Sequence, residues 1–131
     1  MDVENFSAAV RRELAMARES RQAGQEGKAR VCARRAAGFA LKELLEEASG
    51  QQVSRNLYYL LQQAPSVLDL PDHAVRSIQH LTMRVDTDNQ LPDGVDLIRE
   101  AESAIRFFSK LTAENFTVSS AGGGSSSPEI V

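Results

Sequence analysis

Apolar side chains recur along this chain at three- and four-residue spacing, the period of an α-helix, in five separate stretches. The first covers 3–23, where Val3, Phe6, Val10, Leu14 and Ala17 share a side and Arg12 and Glu19 lie opposite. Gly24 and Gly27 then signal a helix stop and a turn. The second stretch, 28–48, is apolar on two sides. Ala33, Ala37, Ala40, Leu44 and Ala48 form the richer strip, and Cys32, Ala36 and Phe39 form another. Such a helix belongs at the centre of a bundle, and its many alanines allow close approach by neighbours. Ser49 and Gly50 end it.

Three further helices follow. The pattern predicts one over 52–64, with Val53, Leu57, Leu60, Leu61 and Ala64 inward and Pro65 as its stop. It predicts another over 71–85, opened by Pro71 and lined by Ala74, Ile78, Leu81 and Val85. Residues 86–92 are rich in turn formers. The last helix, 93–114, has an inner stripe of Ile98, Ala101, Ile105 and Phe108, widened by Leu97, Ala104 and Leu111. Asp93 and Asp96 in its first turn and Lys110 in its last suit the helix dipole. Beyond residue 115 the period stops, and Ser119 to Pro128 are almost all Ser and Gly. Such a segment buries too little apolar surface to offset its ordering entropy. The expected architecture is therefore all-α: an up-and-down bundle of about five helices over 1–114, followed by a disordered tail over 115–131.

Composition changes this picture mainly through charge. Residues 1–42 hold nine Lys/Arg against five Asp/Glu, and residues 43–131 hold six against thirteen. This asymmetry implies ion pairing between antiparallel helices. The sharper alternative is a basic face for an anionic partner, or charge complementarity between subunits. The net charge of −3 argues against a wholly basic nucleic-acid binder. No Trp and 5% aromatics argue against a base-stacking platform. The single cysteine excludes an internal disulfide. No signal segment opens the chain, and no apolar run approaches a membrane span, so the expected location is cytoplasmic.

Candidate chemistry is sparse. His73 and His80 are the only histidines. Arg76, His80 and Arg84 stand one helical turn apart and form a stripe that could hold a phosphate and move a proton. The simpler reading is a solvated outer face, with His73 at the surface or as a cap. Lys28, Arg30, Arg34 and Arg35 open the second helix, where cations oppose the helix dipole. They call for partners, either carboxylates of another helix or an anionic ligand. Cys32 reads as a core residue rather than a nucleophile. Asp86, Asp88, Asn89 and Asp93 lie in one loop but lack the mid-loop Gly and terminal Glu of a calcium loop, so no metal is assigned. Gly24, Gly27 and Lys28 lack the spacing of a phosphate loop. No cofactor is implied.

The run from Gly24 to Gly38 resembles the second helix of prokaryotic HEPN-domain proteins. So does its setting: a first helix ending in a small-residue turn, two shorter helices, then a loop into a long helix of the type Asp96 to Ile105. The stretch Leu81 to Asp86, with Leu91 to Asp93 after it, is similar to the family's inter-helix segment. The resemblance spans roughly residues 5–112. It implies a helical bundle that forms homodimers, often beside a minimal nucleotidyltransferase in toxin–antitoxin pairs. Active members are metal-independent ribonucleases with an Arg, usually a polar residue next, and a His after four to six intervening positions. Here Arg76 and His80 have only three residues between them, Arg84 has no His downstream, and Arg55 is too far from His73. The implied function is thus a non-catalytic, homodimeric binding or regulatory module, partnered by a nucleotidyltransferase-type protein or by RNA. A ribonuclease using Arg76, His80 and Arg84 is the alternative, and a generic helical adaptor is a third reading. A dimer is expected on separate grounds too, because a helix apolar on two sides calls for more cover than one bundle is expected to give.

Overall fold

The computed structural model describes residues 5–83 and 95–113. Within them lie five helices and no strand: α1 (Ala8–Gln22), α2 (Glu26–Ser49), α3 (Leu57–Val67), α4 (Asp72–Thr82) and α5 (Leu97–Ala113). The expected tail over 115–131, Val3 and Val85 lie outside the described residues.

Consecutive helices pack on one another, and α2 also packs on α5, so α2 is the central element. Its Ala29, Cys32, Ala33, Ala36, Ala37, Ala40 and Leu41 are all buried. Apart from half-buried Phe39 and exposed Ala48, the two apolar sides read from the sequence are thus covered by this one chain. That removes the structural premise of the dimer expectation. The core continues through Val10, Leu14 and Ala17 of α1, Leu60, Leu61 and Ala64 of α3, Ile78 and Leu81 of α4, and Leu97, Ala101, Ile105 and Phe108 of α5. Ala48 is exposed rather than inward, because it lies in the last turn of α2, just before the chain leaves the bundle.

Helix ends are set by local chemistry, and several depart from the expected bounds. Ser7 caps α1 by accepting a hydrogen bond from the Ala9 N–H at 3.2 Å, so Phe6 is buried from outside the helix. Ser7 is itself held by Glu43 of α2. Helix α3 starts at Leu57 rather than 52, because the Asn56 side chain accepts from the Tyr59 N–H at 3.0 Å. Val53 is still buried, as part of the preceding loop. Pro65 does not stop α3, which runs on to Val67. Its missing N–H costs one bond close to the helix end, where the Leu68 N–H still bonds the Ala64 carbonyl at 2.9 Å. Gly50 ends α2 with φ +73°, a left-handed cap that suits glycine. Gly38 has another role: a Cβ there would stand 2.6 Å from the Leu57 Cβ, so its hydrogen lets α2 meet the start of α3.

Candidate functional site

The Arg76/His80 stripe lies on α4, whose inner side is fixed by buried Ala74, Ser77, Ile78 and Leu81. Arg76 is exposed. His80 is half-buried, and its Nδ1 stands 3.0 Å from Oε2 of Glu100 on α5. The ring is therefore a brace between two helices, and its orientation is fixed by a carboxylate. Arg84, the third member of the stripe, lies outside the described residues. His73 is exposed and meets the Phe107 ring edge-on, with centroids 6.2 Å apart.

The cations of α2 go to different places. Arg30 pairs with Glu26 one turn earlier, at 3.7 Å. Arg35 pairs with Glu13 of α1 at 3.2 Å and lies over Phe39, 5.7 Å from the ring centroid. Arg34 meets no carboxylate among the described residues. Its Nε donates to the Leu81 carbonyl, and burial pulls its pKa below the usual arginine value. Beside it, the Tyr58 hydroxyl donates to the Thr82 carbonyl. Two side chains, one from α2 and one from α3, thus satisfy carbonyls at the C-terminus of α4, where the dipole favours a cation. Lys28 is exposed. The four residues do not converge on one ligand-sized space.

Cys32 is buried, and burial, reinforced by Glu13, pushes its thiol pKa up. That is the electrostatics of a core thiol, not of a nucleophile. Among the described residues, no three His, Cys, Asp or Glu side chains are grouped to hold a metal. The loop with Asp86, Asp88, Asn89 and Asp93 lies outside them.

A network that sequence reasoning missed joins three elements. Arg21, at the end of α1, donates to Glu26 from Nε and Nη2 at 3.0 and 2.7 Å, and to Asp96 from Nη1 at 2.9 Å. Asp96 also caps α5 by accepting from the Ile98 and Arg99 N–H groups. The Glu26 carboxyl is held below its usual range chiefly by Arg21. Asp96 is also lowered: burial opposes this, but Arg21 and the helix N–H groups outweigh it. The Arg21 guanidinium is correspondingly raised, first by Glu26. Asp96 carried a legible signal as a first-turn acid. Its partner Arg21 did not, since 75 residues separate them.

No protein-family model, curated protein or solved structure matches this chain. The HEPN resemblance therefore stands on the chain's own residues. No helix among the described residues is long and apolar enough to cross a membrane.

Proposed function

We propose that this chain is a non-catalytic, HEPN-like helical module that works by binding a partner, either RNA or a nucleotidyltransferase-type protein. The observation that supports the non-catalytic half is spacing: only three residues separate Arg76 from His80, too few for the family's ribonuclease signature. Homodimerisation stays in this reading through the resemblance alone, because one chain covers both apolar sides of α2 apart from Phe39 and Ala48. Light scattering at micromolar concentration tests it separately, and a monomeric mass removes the dimer while leaving the binding module.

One feature favours the ribonuclease alternative. A histidine oriented through Nδ1 by a carboxylate is the arrangement of a general base, with Nε2 left to take a proton. The test is incubation of the purified protein with RNA in chelator. The expected result is intact RNA. Metal-independent cleavage lost in His80→Ala but kept in His73→Ala overturns the non-catalytic reading. Pull-down from the source cell, read by mass spectrometry, tests the partner.

A further inference from the structure

The positions of α1 and α5 bring together a line of cations that neither helix has alone. The two helices run antiparallel. Asn5 before α1 bonds Ser109 late in α5, Arg18 pairs with Glu102, and Arg21 at the end of α1 reaches Asp96 at the start of α5. This register sets Arg11 level with Arg106. On α1, Arg11 and Arg18 are seven residues apart, and on α5, Arg99, Arg106 and Lys110 are spaced by seven and four. Each set therefore projects from one side of its helix. On α1 that is the side of the Arg18–Glu102 pair, which faces α5. On α5 the Arg99, Arg106 and Lys110 stripe points outward, opposite the buried Leu97, Ala101 and Phe108, and Arg106 lies next to Glu102 on the α1 side. All five cations are exposed.

We propose that this basic face across α1 and α5 binds the phosphate backbone of a nucleic acid. The inference deepens the binding-module reading by naming the surface and partner chemistry, and it rests on that reading only for the existence of a partner. Beside the Arg21–Asp96 pair, this face sets five cations against Glu102 among the described residues, a local charge of +4 on a chain whose net charge is −3. The α5 cations alone span about 16 Å along the helix axis. One strand of a duplex presents a phosphate roughly every 3.4 Å, so each cation finds one in almost any register. A protein partner would need carboxylates matched to this spacing. Four of the five cations are arginines, whose planar forks suit phosphate oxygens. None of these face residues is aromatic, so binding reads the backbone and not the bases.

The test is fluorescence anisotropy with a labelled 16-nucleotide RNA strand and a 16-base-pair DNA duplex, which separates the two sources of the same phosphate chemistry. The full-length chain binds at least one probe at 50 mM salt, and at 200 mM four phosphate contacts weaken it by about fiftyfold for the RNA strand or about 150-fold for the duplex. The double variant Arg99→Glu, Lys110→Glu lowers affinity at least tenfold. A control with the same charge change, Arg12→Glu plus Arg55→Glu, alters it less than threefold. Arg12 is exposed about 100° further round α1 from Arg11, and Arg55 is exposed before α3. Circular dichroism confirms that both variants fold. Equal weakening by both variants, equal binding of a polyglutamate peptide, or no binding of either probe at 50 mM salt overturns the proposal. A protein partner recovered by pull-down alongside any of these results leaves the binding-module reading standing.

Discussion

Gly38 and Cys32 show how one residue's meaning changes once its neighbours are known. In a helix interior, glycine is normally worse than alanine by about 1 kcal/mol. At Gly38 a methyl would stand 2.6 Å from the Leu57 Cβ, an atom anchored to the backbone that cannot swing aside. Overpacking of this kind costs about 1–3 kcal/mol. Gly38→Ala is therefore expected to lower stability by roughly 1 kcal/mol, the middle of that range less the gain in propensity. Chemical denaturation followed by circular dichroism measures this, and an unchanged or raised midpoint refutes the close approach. Cys32 was legible as a core residue from its apolar strip alone. Its contact with Glu13 was not, because only packing of α1 on α2 brings a carboxylate there.

At the scale of elements, the least obvious feature is how α4 ends. Its last two carbonyls, of Leu81 and Thr82, accept from Arg34 of α2 and Tyr58 of α3. The basic opening of α2 suggested carboxylate partners on another helix; Arg35 finds one in Glu13 of α1, whereas Arg30 pairs within α2, with Glu26. Arg34 instead pairs with the negative end of a helix dipole, which is a charge no residue code displays. Tyr58→Phe should remove one hydrogen bond and cost about 1 kcal/mol. Arg34→Met, which keeps much of the stem, should cost about the same or more, since it also removes the cation from the dipole end. Hydrogen exchange at the last turn of α4 is the decisive reading. Faster exchange there than elsewhere in both variants supports the cap, and unchanged exchange rejects it.

For the whole molecule, the charge asymmetry along the chain resolves into cross-helix pairing. Arg18 and Arg21 from the basic part meet Glu102 and Asp96 from the acidic part. The carboxyls of Glu26, Glu46 and Asp96 are all held below their ordinary values of 4.5, 4.5 and 3.8, Glu46 chiefly by Lys42. A carboxyl depressed in the folded state adds stability that is fully present above its ordinary value and is lost as pH falls through the folded one. Melting temperature should therefore be insensitive to these groups between pH 6 and 8, and should fall from about pH 4.5 downward. The Arg21 cluster keeps 34–43% of its side-chain surface exposed, so solvent screens each pair. Glu26→Gln should flatten the acid limb, and thermal melts at pH 7, 4.5 and 3.5 test it.

The chain's own periodicity determined that five helices form and which faces close inward, because burying apolar stripes 3.6 residues apart leaves little choice. Among the described residues, the inward sets named from spacing are the ones found buried, apart from Ala48 at a helix end and the half-buried Phe39, Leu57 and Leu111. Helix ends were less legible. Asn56 and Pro65 act through bonds to specific neighbours, and those depend on where the preceding turn happens to sit. What only the tertiary structure decided is which charges meet. Arg21 with Asp96, His80 with Glu100, and the alignment of α1 with α5 all join positions far apart in sequence, and such contacts exist only after the stripes have packed and fixed the antiparallel register.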